Sequence, residues 1–132
     1  MQQDAIVESL ERVAAKVGDP SPLVYDRLFA ARPDLEDLFF MDNDGGVRGS
    51  MLQQCFDCIL DALEGGVLCQ SVIPSECSRH VAYGVEPDLF FSFFRVIRDT
   101  LRAELDGDWT RQMETAWENM ISLMETHKEE AA

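Results

Sequence analysis

The chain has 132 residues, 46% of them hydrophobic, with 25 acidic against 11 basic side chains and a formal charge of −14. A chain of this length is expected to form one domain, burying roughly two thirds of its unfolded surface without disulfide or metal staples. A charge so negative repels phosphate backbones and anionic membrane surfaces, which argues against nucleic acid and membrane as partners. No run reaches the roughly 18 apolar residues of a membrane span. The acidic start (Asp4, Glu8, Glu11) also lacks a basic region followed by a greasy one, so a cytoplasmic protein with reduced cysteines is expected.

Apolar spacing at the helical period predicts an all-α chain. Ile6, Leu10, Val13 and Val17 form a first stripe, closed by Gly18-Asp19-Pro20. Ser21 is expected to cap a second helix with Pro22 at its first position, burying Val24, Tyr25, Leu28 and Phe29. After Pro33, a short helical turn carries Leu35, Leu38 and Phe39, and Asp42-Asn43-Asp44-Gly45-Gly46 reads as a loop. Leu52, Cys55, Phe56, Ile59, Leu60 and Leu63 fall on one face of a buried central helix that stops before Gly65-Gly66.

A weakly patterned stretch follows, and Pro74 is expected to open a short helix reaching His80 or Ala82, with Gly84 able to take a left-handed stop. Pro87 opens a long helix burying Phe90, Phe93, Phe94, Ile97, Leu101 and Leu105. Asp106-Gly107-Asp108 turns the chain, and Thr110 caps a last helix whose buried face is Met113, Trp117, Met120, Ile121 and Met124. A methionine stripe of this kind is core packing more often than an interface. The tail from residue 126 onward, including His127, is expected to be frayed and solvated.

His80 is the residue with the most chemistry. A histidine near a helix end, beside apolar residues, is either an internally satisfied side chain or a metal ligand. Cys55-Gln-Gln-Cys58 with Cys69, Cys77 and His80 could suggest zinc, but the later spacings match no compact ligand pair and Cys55 is needed on the buried face. Free buried thiols are the preferred reading.

Three segments together resemble the globin family. They are Leu23-Val-Tyr25-Asp-Arg-Leu28-Phe29-Ala-Ala-Arg-Pro33-Asp-Leu35-Glu-Asp-Leu38-Phe39, then Arg79-His80-Val-Ala-Tyr-Gly84-Val85-Glu-Pro87, then Leu101-Arg-Ala-Glu-Leu105-Asp-Gly-Asp-Trp109-Thr110 with Ala116-Trp117. The likeness is greatest to bacterial single-domain globins and the globin domain of flavohaemoglobins. It implies a three-over-three helical sandwich filling residues 1–132 as a single domain, with a shortened loop before the distal helix.

The resemblance also implies haem b as cofactor, with His80 as the proximal ligand to iron. Phe39 matches the phenylalanine that wedges against the haem face, and Tyr25 the distal phenol that donates a hydrogen bond to bound dioxygen. Counting back from His80 puts Arg48 at the distal gate and Leu52 one turn deeper, while Val85 joins the pocket from the proximal turn. Phe90 stands where bacterial relatives often carry a tyrosine, so a backbone carbonyl about one turn earlier is the expected partner of the second His80 ring nitrogen.

Pro74 and Glu76 depart from the family pattern and bear on haem retention. The function implied is reversible binding of dioxygen, NO or CO. The alternatives are a haem-free sensor or interaction domain, and a nitric oxide dioxygenase dependent on a separate reductase, since the sequence shows no flavin or nicotinamide domain.

Overall fold

The computed structural model describes residues 2–128 and contains, among them, six α-helices, two short 3-10 segments and no strand. In chain order these are α1 (Gln2–Val17), α2 (Ser21–Ala31), a 3-10 segment (Pro33–Phe39), α3 (Gly46–Leu63), α4 (Leu68–Ala82), α5 (Pro87–Leu105), a second 3-10 turn (Asp106–Asp108) and α6 (Arg111–Glu125).

Helix α1 packs on α5 and α6, α2 lies against α5 and α3, and α4 rests on both α3 and α5. The core formed where they meet contains Ile6, Val13, Ile59, Ile97, Leu101, Trp117 and Ile121, all essentially sealed from solvent. Inside it, the Trp117 indole N–H donates to Ser9 Oγ at 2.9 Å, and the Ser9 hydroxyl donates to the Ile6 carbonyl at 2.7 Å. Two buried polar groups are thus satisfied while α1 is tied to α6. Met113, Met120 and Met124 are buried in this core, as the stripe predicts.

Thr110 caps α6 as expected, its hydroxyl accepting the Met113 N–H at 3.1 Å. The start of α2 differs from expectation. Ser21 is already helical, the Pro20 carbonyl accepts the Val24 N–H, and the Asp19 carboxylate accepts the Ser21 N–H at 2.9 Å. A carboxylate two residues back therefore does the work assigned to the serine.

Helix α4 departs further. It begins at Leu68, six residues before Pro74, and Pro74 sits inside it. The cause is a tertiary cap: Asp61, in the last turn of α3, accepts the backbone N–H of Leu68 at 2.8 Å and of Cys69 at 3.4 Å. These are donors that a helix N-terminus leaves without an internal partner. A side chain at Gly66 would collide with the Asp61 carboxylate, so the glycine makes room for the cap. Gly84 takes the left-handed conformation expected of it, with φ +89°.

Several burial expectations change as well. Phe91, absent from the expected face of α5, is sealed in the core, whereas Phe90 and Phe93 are only half-buried; Leu60 on α3 is exposed. His127 is buried with 6% of its surface exposed, contrary to a solvated tail, and Lys128 pairs with Asp88 at 2.9 Å. The rest of the tail, 129–132, lies outside the described residues.

Candidate functional site

Between α2, the first 3-10 segment, α3, α4 and α5 lies an apolar slot holding about 850 Å³ of free space, counting its open mouth. An apolar concavity with a few convergent polar groups is the usual form of a small-molecule or cofactor site. Tyr25, Phe39, His80 and Val85, all expected site residues, do line it.

His80 stands in the last turn of α4, its Nδ1 2.7 Å from the carbonyl oxygen of Glu76 one turn earlier. A carbonyl can only accept, so Nδ1 carries the proton and, in the neutral ring, Nε2 is left as the lone-pair nitrogen. The ring packs on Phe90 at a centroid distance of 5.0 Å and against Tyr83 at 6.3 Å. Phe90 thus fixes the plane of the imidazole without offering a hydrogen bond. Just beyond, the Val85 N–H donates to the His80 carbonyl at 3.0 Å and closes the turn that carries Val85 into the lining.

Tyr25 projects from α2 and is only 2% exposed. Its ring lies 5.6 Å from Phe39, 5.9 Å from Phe29 and 5.5 Å from Phe93, a cluster that holds it rigidly. Its hydroxyl is buried with no hydrogen-bond partner. Burial first, and the neighbouring Cys55 second, push the phenol well above its ordinary pKa, so it stays a donor.

Two expected site residues lie elsewhere. Arg48 does not line the slot: its Nε donates to Asp42 Oδ2 at 2.9 Å and its Nη2 to the Asp42 carbonyl at 3.1 Å. The same carboxylate accepts the backbone N–H groups of Val47 and Arg48 at 3.0 Å each, so Asp42 caps α3 and holds the arginine at once. Burial opposes the Asp42 charge, but these bonds and the guanidinium together hold its carboxyl below the usual range.

Leu52 is fully buried and turns the other way, into a groove it shares with Leu10, Phe56 and Leu101. Helix α3 meets the slot instead through Met51, Gln54, Cys55 and Cys58. These positions repeat at three and four residues, about 100° round the helix from Leu52, Phe56 and Ile59. The helix is buried on two flanks, and its apolar pattern alone does not say which flank faces the slot.

All four cysteines are free thiols, Cys58, Cys69 and Cys77 buried and Cys55 partly so. Burial, then the charge of a neighbouring thiol, pushes Cys55 up to about 12 and Cys58 up to about 11, which keeps both protonated. Glu76 also reaches the slot, pairing with Arg79 at 3.3 Å. No helix is long and apolar enough to cross a membrane among the described residues.

The helices thus enclose an apolar slot with one oriented histidine and one buried phenol among its polar groups. The family model Globin matches residues 23–127, and the chain belongs to the globin family, with its all-α fold. No curated protein and no solved structure matches the chain.

Proposed function

We propose that the chain is a single-domain haem b globin, nearest in kind to the bacterial globins, that binds dioxygen and other diatomic gases reversibly. The observation that carries this reading is the His80 ring. Its Nδ1–H is committed to the Glu76 carbonyl, leaving Nε2 as the basic nitrogen of a side chain that lines an apolar slot.

The residues present fit haem. His80 would hold the iron through Nε2, Phe39, Val85 and Phe93 would supply apolar walls that exclude water, and the unpartnered Tyr25 hydroxyl would be a donor free for a bound ligand. Bound haem would supply the iron centre at which a gas is taken up and released. Tyr25 would then hold a gas ligand that gains negative charge on binding, and a fixed donor in a dry site acts at full strength. Arg48, committed to Asp42, has no part in this contact.

A haem-free reading draws on one feature, the Glu76 carboxylate in the slot wall, because an acidic group there opposes an apolar, negatively substituted cofactor. Its Arg79 partner offsets part of that cost. Titration with haemin separates the two readings. The haem reading expects a Soret band that shifts on reduction and on CO addition and is lost in His80→Ala. A wild-type protein giving no such band leaves the haem-free reading.

A further inference from the structure

Helix α3 turns its second flank into an open groove that the reading above does not use. We propose that this groove, between α1 and α3, docks a cationic amphipathic helix of a partner protein. It shares no lining residue with the slot, and its occupant does not depend on haem.

Helix α1 packs on α5 and α6, and α3 on α2 and α4, which leaves a cleft between α1 and α3. One part of it lies between residues 4–11 of α1 and residues 60–64 of α3. The other lies between residues 10–14 of α1, the turn at residues 19–21 and residues 49–60 of α3. The two parts share Glu11 and Leu60, so they form one groove along which α1 and α3 run antiparallel. Their free space, about 520 and 1060 Å³ counting the open side, together exceeds the 850 Å³ of the slot, so the groove is more than a ripple in the surface. Residues 49 to 64 of α3 span about 22 Å at the helical rise, the length of about four helical turns.

Its apolar lining is Val7 and Leu10 from α1 and Phe56, Leu60 and Leu63 from α3. Leu60 is 36% exposed and the other four are half-buried. On each helix they recur at three or four residues, so each helix shows one apolar edge to the groove. Around them stand Asp4, Glu8, Glu11, Asp19 and Glu64, and no lysine or arginine lines the groove. The cations nearest in sequence are committed: Arg12 pairs with Glu8 at 2.7 Å, and Lys16 donates to the Glu104 carbonyl. Asp4, Glu11 and Glu64 make no ion pair among the described residues.

Charge and shape together select the occupant. The acidic rim attracts a cation, the apolar lining takes an apolar face, and the length suits a helix laid along the groove. A helix with apolar residues at i, i+3, i+4 and i+7, flanked by lysine or arginine, meets all three demands. A second copy of this chain would bring a charge of −14 and the same acidic rim, and like charges brought together oppose association. Anionic lipid surfaces are repelled in the same way.

The probe is a fluorescein-labelled peptide of about 15 residues, long enough for about four turns, with leucine at i, i+3, i+4 and i+7 and lysine elsewhere. Its scrambled form, equal in composition and charge, is the control. Anisotropy titration with the full chain at about 150 mM salt, where long-range attraction is screened, should show the amphipathic peptide binding at least about tenfold more tightly than the scrambled one. Circular dichroism should show it gaining helix on binding. Leu60→Gln, at a position already exposed, should weaken binding about tenfold, the scale of burying one leucine. Glu11→Lys should weaken it several-fold more than Glu118→Lys, which changes the net charge equally at an exposed position of α6 outside the groove. Equal binding of the two peptides would overturn the proposal, as would Leu60→Gln and Glu11→Lys that bind as Glu118→Lys does. A dimer in sedimentation equilibrium that Leu60→Gln dissolves would give the groove to a second copy and overturn it too.

Discussion

Tyr25 carries a conflict between folding and binding that can be measured. A buried hydroxyl with no partner costs about 1–3 kcal/mol, and Tyr25 has such a hydroxyl in an aromatic cluster. Tyr25→Phe removes the orphan and keeps the ring. We expect the haem-free variant to gain about 1 kcal/mol in urea denaturation, and the haem-loaded variant to release dioxygen roughly ten to a hundred times faster in stopped-flow displacement by CO, the loss expected for one hydrogen bond to a charged acceptor. A variant that is less stable and unchanged in release would mean that the hydroxyl finds a partner in the apo protein and none in the loaded one. At this scale the resemblance to the globin family pointed to Tyr25, Phe39, His80 and Val85, and all four line the slot. It misplaced Arg48 and Leu52, because their direction depends on how far α3 is rotated about its own axis, and a helix buried on both flanks leaves that rotation open.

Helix α4 shows how one element depends on another. Its N-terminus is capped from α3 by Asp61, and the His80 that ends it is oriented by a carbonyl within it. Losing the cap is expected to unwind the first turn and loosen the whole proximal helix. Asp61→Ala should therefore cost about 1–2 kcal/mol in chemical denaturation, the range for deleting a helix N-cap. It should also speed transfer of haem to an excess of apomyoglobin while leaving the Soret maximum where it was. A shifted Soret maximum would show instead that Asp61 acts on the His80 ring itself. The proline that reads as a helix start lies within this element, where it forfeits the one bond its nitrogen would have made to Gln70. The cap at the true start is invisible locally, since Asp61 and Leu68 belong to different helices.

The whole molecule carries a charge of −14, and much of its salt-bridging is spent on exposed pairs such as Arg12 with Glu8 and Arg32 with Asp34. Such pairs contribute little each, so the net effect of the surface is self-repulsion. Raising salt from about 10 mM to about 150 mM shortens the screening length from roughly 30 to 8 Å, and the melting temperature should rise by a few degrees in sodium chloride. A melting temperature that falls with salt would show that the ion pairs, rather than the excess charge, dominate. The helical class, the order of the helices, the Thr110 cap, the buried face of α6 and the histidine at the end of α4 were determined by the sequence alone, because periodicity, capping chemistry and turn residues act within one or two turns of the chain. The tertiary structure alone decided where α4 begins, which flank of α3 meets the slot, that Arg48 is held by Asp42 and that His127 is buried. Each of those depends on the distance between elements that meet only once the chain has packed.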